Sequence, residues 1–409
     1  MYASADVGGM SHGRIIKGNN MNREEVEAEI RSWLQAHEQE MLALLEEVVN
    51  IDSGSYNKAG VDKVGEVFRN HLEAAGISTT VFPLQDYGNC LLAEVPGTAG
   101  PDAPHVLLLG HMDTVFPTGT VAERPYKVEN GIAYGPGVAD MKAGLVMNTF
   151  VARAFKEIGG NKAPIRVFYT GDEEIASPAS RTLTAQMAQG AATVLNAEPG
   201  RPTGNVVTRR KGAFFIDFEV EGVAAHAGVA HDKGASAVEA LARKVVGLHE
   251  LTDRSAGVTA NVGTIQGGVS VNTVAPYAKG QLDVRFPKEV DSGALHERIM
   301  HIIEGEDVPC TCARVTREGR FLPLFETDAS RELLSDYKRA ALELGFDVEG
   351  ESTGGSADSG LTSAAGAPTL CATGPVGGHA HTSKEYCELN TLVPRAQMVA
   401  LTILARDDL

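Results

Sequence analysis

The sequence predicts an α/β protein in which a large α/β sandwich is interrupted by a smaller unit of βαββαβ order. Three observations carry that expectation. Helical periodicity and short apolar runs alternate from Arg23 to Asn196 and resume beyond residue 320. Between those stretches the pattern runs strand, helix, strand, strand, helix, strand, the order of a ferredoxin-like split unit. Finally, 409 residues, 43% of them hydrophobic, are many for one compact domain and ample for two cores.

From Arg23 to Glu47 the apolar positions Val26, Ile30, Trp33, Leu34, Met41 and Leu45 recur at helical spacing, and Val61 to Ala75 repeats the pattern. Two amphipathic helices are expected there. Strand-like runs follow at Ile77–Phe82, Cys90–Val95, Val106–Leu109, Ile165–Tyr169 and Thr193–Asn196, with a helix over Met141–Ile158. Near Lys211 the texture changes. Strand Ala213–Glu221, helix Ala235–Leu248, strands Val258–Ile265 and Ala278–Phe286, helix Gly293–Ile303 and strand Thr311–Arg317 make up the split unit. A helix over Ser330–Leu344, a Gly/Ser-rich turn, a strand at Pro368–Ala372 and a helix over Val393–Ala405 complete the sandwich. The expected division is therefore a large domain of residues 22–211 and 321–409 with residues 212–320 inserted.

Fifty-three acids against 36 bases give a net charge of −17, which opposes a phosphate-backbone partner and makes nucleic acid an unsuitable ligand. No apolar span is long enough for a bilayer, so no membrane role is expected. Five cysteines, an odd number, do not form a disulfide framework and suit a reducing cytoplasm. Cys310 and Cys312 form a C-x-C with no second pair to complete a zinc site, and read as structural cysteines. Residues 1–21 hold Gly, Ser and Asn without an apolar h-region, so a flexible tail is expected, and Met21 is an alternative start.

The chemistry-bearing residues stand behind the strands. His111 and Asp113 follow the run Leu107-Leu108-Leu109-Gly110, a strand whose carboxyl end opens into a loop, where open α/β sheets place their sites. Alone, that pair reads more readily as a turn with a satisfied histidine. Asp140 follows the glycine-rich Gly135-Pro136-Gly137 just ahead of a helix, which also suits an N-cap. Asp172-Glu173-Glu174 stacks three acids behind a strand, where repulsion calls for solvent or a cation. Glu198 follows Val194-Leu195 and precedes Pro199, as a surface loop acid would. In Gly377-Gly378-His379-Ala380-His381, two histidines compete for one role. Together these segments supply enough nitrogen and oxygen donors for two borderline metals sharing a carboxylate.

With Gly110-His111-Met112-Asp113-Thr114, Gly135 to Lys142, Asp172-Glu173-Glu174, Glu198-Pro199 and His381 to Tyr386 in place, the chain resembles a zinc-dependent amidohydrolase family. That family includes glutamate carboxypeptidase, acetylornithine deacetylase, succinyl-diaminopimelate desuccinylase and the aminoacylases. The resemblance runs from about Glu25 to the C-terminus and is strongest, in motif wording, to glutamate carboxypeptidase. It implies a large mixed-sheet catalytic domain with an inserted dimerisation domain. It also implies two Zn2+ per subunit, with Co2+ or Mn2+ as substitutes. His111 and Glu198 would hold one ion, Glu174 and His381 the other, and Asp140 would bridge them.

By the same resemblance Glu173 is the free carboxylate, taking a proton from the metal-activated water and delivering it to the leaving amine. Asp113 would accept the other ring N–H of His111 and fix its tautomer. His226, in Ala224-Ala225-His226-Ala227-Gly228, would reach a partner subunit's active site, and Arg285 and Asn272 would bind the substrate carboxylate. Gly354 would line the pocket within Ser352 to Asp358, and the Asp140–Met141 peptide would be cis. Met141 departs from relatives that carry a second aspartate there.

The expected activity is hydrolysis of a small amide or dipeptide bearing a free carboxylate, with release of a C-terminal amino acid such as glutamate, in a cytoplasmic homodimer. An N-acyl-amino-acid deacylase is the alternative within the class. A non-catalytic binding relative and a two-metal phosphoesterase are more remote ones.

Overall fold

The computed structural model describes residues 21–406. The expected tail lies outside them except for Met21, which packs half-buried on the large core. In chain order the strands are β1 (Ser78–Phe82), β2 (Cys90–Val95), β3 (His105–His111), β4 (Lys127–Glu129), β5 (Ile132–Tyr134), β6 (Ile165–Thr170), β7 (Ala191–Asn196) and β8 (Val206–Arg210). They continue with β9 (Gly212–Glu221), β10 (Thr259–Gly267), β11 (Tyr277–Phe286), β12 (Cys312–Phe321), β13 (Gly350–Thr353), β14 (Thr369–Cys371), β15 (Gly377–Gly378) and β16 (Tyr386–Glu388).

The large sheet runs β1-β2-β6-β3-β7-β14-β8-β13 and is mixed. β6, β3 and β7 lie side by side and parallel, so their carboxyl ends share one edge. Every residue of β3 is buried. Val106 and Leu108 face the main core while Leu107 and Leu109 face a second cluster on the other side of the sheet. A strand covered on both faces reads as a continuous apolar run, which is why the leucines do not alternate with polar residues. Each such leucine contributes about 1.5–3 kcal/mol by leaving water. The main core is closed by helix Ala143–Ile158, buried along most of its length, against helices Arg23–Ala36, Glu38–Val49 and Leu392–Ala405.

Residues 212–321 form a four-stranded antiparallel sheet in the order β10-β11-β9-β12, with helices Ala237–His249 and Ser292–Glu304. That order is ferredoxin-like. Phe214, Ile216, Phe218 and Val220 of β9 alternate inward and build a core with Leu282, Val284, Ile299 and Ile303, separate from the main one. Ser236 and Asp291 cap the two helices through hydrogen bonds to the first-turn amides.

Several sequence expectations are corrected. The first helical stretch is two helices, broken at His37, whose Nδ1 lies 2.7 Å from the Trp33 carbonyl and whose ring stacks on Trp33 at 3.7 Å. Helix Arg181–Ala188 and strands β8 and β13 were not foreseen. Nor was a third sheet, β15-β16-β5-β4, whose strands of two or three residues are too short to display a period. Cys310 and Cys312 are exposed where β12 begins and support no core; all five cysteines are free. Among the described residues no helix is long and apolar enough to cross a membrane.

Candidate metal centre

The sheet order decides which side chains meet. His111 ends β3, Glu173 and Glu174 follow β6, and Glu198 follows β7, so adjacent parallel strands deliver them to one edge. The third sheet brings the remaining two: Asp140 follows β5, and His381 sits at φ 63° in the turn between β15 and β16. The Asp140–Met141 peptide is cis, as the resemblance implies.

Asp140 stands between the histidines. Its Oδ1 lies 3.2 Å from His111 Nε2 and its Oδ2 lies 3.3 Å from His381 Nε2. Glu174 Oε2 is 3.0 Å from His381 Nε2, and Glu198 Oε1 is 3.8 Å from His111 Nε2. Glu173 Oε2 is almost as near to His111, at 3.9 Å, so distance alone does not separate it from the expected ligand Glu198. His379 is not in the cluster; its ring leans on Tyr386 at 5.8 Å.

Four largely buried carboxylates thus face two imidazoles, His111 buried and His381 open to solvent. Burial raises the carboxyls of Glu174 and Glu198 to about 7, with the charge of Asp140 adding to both. Glu173 is raised well above the usual range by burial and by Glu198, Asp358 and Glu174, against the pull of His111. Burial would raise Asp140 too, but the imidazoles of His111 and His381 on either side hold it low. His381 is lifted to about 11 by Asp140 and Glu174. Asp140 Oδ1 and Glu174 Oε1 are buried without a hydrogen-bond partner. Unpaired buried acid oxygens beside imidazole nitrogens fit a divalent cation, which would satisfy the oxygens and offset the repulsion.

This imbalance sets a pH dependence. Glu174 and Glu198 have folded values near 7 against an ordinary 4.5, so between those limits the metal-free folded chain binds more protons than the unfolded one. Stability then falls as pH rises, and His111 and His381, both raised, act in the same direction above 6.5. Metal-stripped protein is expected to melt lower at about pH 8 than at about pH 5.5, and added metal to cancel the trend. A melting temperature in chelator that is flat or rises across that range contradicts this.

His111 meets both the backbone and the carboxylate of Asp113. His111 Nδ1 lies 3.0 Å from the backbone carbonyl of Asp113 and 3.5 Å from its carboxylate. The carbonyl, which only accepts, is therefore the closer anchor, placing a ring proton on Nδ1 and turning Nε2 toward the acids. The carboxylate instead accepts from Ser55 Oγ at 2.7 Å and from the amides of Glu173 and Glu174 at 3.1 Å, fixing the turn that carries both glutamates.

The profile of "Peptidase family M20/M25/M40" matches residues 107–405. The chain belongs to this family. As an M20 member it is a metal-dependent hydrolase of peptide or amide bonds. Carboxypeptidase G2 of a Pseudomonas species is 28% identical over 375 residues, covering 89% of this chain and 88% of that one. The M20 family metallo-carboxypeptidase Sso-CP2 of Sulfolobus solfataricus superposes with a TM-score of 0.73 at 17% identity, over 90% of this chain and 100% of the other. YXEP of Bacillus subtilis, described as a dinuclear metal binding peptidase, gives a TM-score of 0.62 at 17% identity, over 91% and 98% of the two chains.

The remaining sequence candidates of this M20 chain fall into two groups. Arg285 and the loop of Gly354 are brought together: Arg285 donates to Ser356 Oγ at 3.0 Å, and a side chain at Gly354 would meet open space. The Arg285 fork is not free, since Nε and Nη2 donate to Asp283 at 2.7–3.1 Å. The loops of His226 and Asn272 also meet, Ala227 N donating to the Asn272 carbonyl at 2.9 Å. That pair is exposed, and among the described residues no hydrogen bond or ion pair joins it to the His111–His381 cluster.

Two residues escaped the sequence reading. The buried Glu385 carboxylate accepts from the amides of Gly137, Ala139 and Asp140 at 2.9–3.0 Å, holding the turn that presents Asp140. Its only signal was its place four residues after His381 in the stretch His381 to Tyr386. Arg210 lies 3.2 Å by Nε from Cys371 Sγ. Burial opposes its charge, but Cys371, Glu198 and Glu173 raise it, so a guanidinium faces the acid cluster. Arg209-Arg210-Lys211 was visible only as a boundary between textures.

Proposed function

We propose that this M20 enzyme is a dinuclear zinc hydrolase that releases a C-terminal amino acid such as glutamate from a peptidyl or N-acyl conjugate. The observation that carries the reading is Asp140, with one oxygen toward each histidine at 3.2 and 3.3 Å. On this reading His111 and Glu198 hold one ion, Glu174 and His381 the other, and Asp140 both; cobalt or manganese would suit the same donors. The ions, when bound, supply Lewis acidity to the attacking water and to the amide carbonyl. Glu173 takes the proton from that water and passes it to the leaving amine, a role suited to a carboxyl held high by burial. Asp113 keeps Glu173 and Glu174 in register through their amides.

Arg285, beside the Gly354 loop, recognises the free carboxylate by exchanging part of its contact with Asp283, and Arg210 adds positive charge near Glu198. Carboxypeptidase G2, a carboxypeptidase by name, supports release of a C-terminal residue. Residues 22–211 and 321–409 are assigned as catalytic and 212–320 as lid and dimerisation unit. In a homodimer the exposed His226–Asn272 pair would serve the partner subunit's site. Support comes from the open edge of β10 and the exposed Ile265, Val238 and Val246 beside it. Five free cysteines support a cytoplasmic location.

The test is to assay zinc-loaded protein on peptidyl and N-acyl glutamates with and without chelator. Chelator-sensitive release of the amino acid is expected. Protein that holds less than about one metal per chain after zinc loading, with no chelator-sensitive amide hydrolysis, overturns the reading.

A further inference from the structure

A cavity of about 310 Å³ lies at the first turn of helix Leu392–Ala405 and shares no residue with the metal cluster. Its wall is largely apolar, built from Pro202, Phe346, Val348, Val376 and Met398. That volume stands at the lower end of the range for small-molecule sites, which suits one compact ligand better than a peptide.

Three charged side chains reach the same wall. Arg395 is only 3% exposed, yet its guanidinium meets no carboxylate among the described residues. Nη1 donates to the Tyr337 hydroxyl at 3.1 Å and Nη2 donates to the Gly204 carbonyl. Arginine is seldom buried to this extent without a negative partner, because its charge then goes uncompensated. The group is also held in place, since a side chain at Gly200 would come within 3.1 Å of Nη2. The helix end adds to the positive potential: Thr391 Oγ accepts from the Val376 amide at 2.9 Å and donates to the Glu388 carbonyl, and no side chain caps the first turn. Glu388 and Asp347 supply the opposite sign, and neither carboxylate has a hydrogen-bond or ion-pair partner among the described residues.

These charges exclude simple ligands. An anion alone would face two acids, a cation alone would face the buried guanidinium, and a neutral apolar molecule would leave Arg395 uncompensated. A compact molecule carrying both charges and an apolar group answers all three. We propose that the cavity binds a free α-amino acid with an uncharged, apolar side chain. Its carboxylate pairs with Arg395, its ammonium with Glu388 and Asp347, and its side chain packs among Phe346, Val348 and Met398. This site goes beyond the hydrolytic reading and does not depend on it.

The test is calorimetric titration of the zinc-loaded protein with L-leucine, with leucinamide, which lacks the carboxylate, and with 4-methylpentanoate, which lacks the ammonium. L-leucine is expected to bind at least about tenfold more tightly than either. The double variant Glu388→Gln, Asp347→Asn should keep the parent's melting temperature and bind L-leucine at least about tenfold more weakly. Arg395→Gln should abolish binding, and if that variant does not fold, the double variant decides. Arg285→Ala, which alters the catalytic pocket instead, should leave the affinity unchanged. No saturable binding of L-leucine at millimolar concentration, or equal affinity for all three probes, would overturn the proposal. So would an affinity that falls in Arg285→Ala but survives in the double variant, which would place the amino acid at the metal centre.

Discussion

Glu173→Gln protein is expected to keep its full complement of metal and to lose roughly a hundredfold to ten-thousandfold in kcat. Glutamine has nearly the volume and polarity of glutamate but does not accept the proton, so the pocket is preserved while the proposed proton carrier is removed. The backbone supports this separation, since the Glu173 amide donates to Asp113 at 3.1 Å whatever the side chain is. KM should change much less than kcat, because the lost interaction belongs to the transition state. The adjacent Glu174→Gln variant should behave differently and lose metal, since Glu174 Oε2 faces His381 at 3.0 Å. Kinetics beside elemental analysis of the two variants separate the roles. Equal loss of metal from both would show that Glu173 is a ligand, the reading its 3.9 Å approach to His111 leaves open.

Asp140→Ala is expected to have the larger effect on composition, costing both ions in one substitution and reducing hydrolysis to background. Each oxygen of Asp140 faces a different histidine, so this one side chain spans the two halves of the site. Its removal leaves His111 and His381 each with glutamate partners alone, too few protein donors for a closed site. Asp140→Asn keeps the shape but removes the charge, and should hold metal more weakly than the parent. The fold should survive these changes, because the three amides bonded to Glu385 keep the turn in place.

What the sequence disclosed and what it hid divide along physical lines. The run Leu107-Leu108-Leu109 revealed a buried strand, and strand ends locate sites in open α/β sheets, so His111 and Glu173 stood out as candidates before any contact was known, whereas Glu198 read alone as a surface acid and joined them only through the family resemblance. Their assembly was not legible, because it depends on the neighbour order β6-β3-β7, and sequential strands need not be spatial neighbours. The sheet that delivers Asp140 and His381 stayed hidden for another reason: strands as short as Gly377–Gly378 carry no period. The second task of Asp113 depends on Ser55, 58 residues away, and that of Glu385 on amides about 245 residues away, separations with no local pattern. Arg285 was read as a free carboxylate fork, yet its own strand supplies Asp283 two residues earlier. That i, i+2 spacing places both side chains on one face of a strand and was available to be noticed.

The dinuclear centre proposed around Asp140 is tested most directly by anomalous scattering at the zinc edge from crystals of the zinc-loaded protein and of its Asp140→Ala variant. The parent should show a pair of peaks flanking Asp140, one contacting His111 and Glu198 and the other His381 and Glu174, and the variant should show neither. A single peak in the parent, a peak ligated by Glu173 in place of Glu198, or a pair that persists in Asp140→Ala would contradict the account.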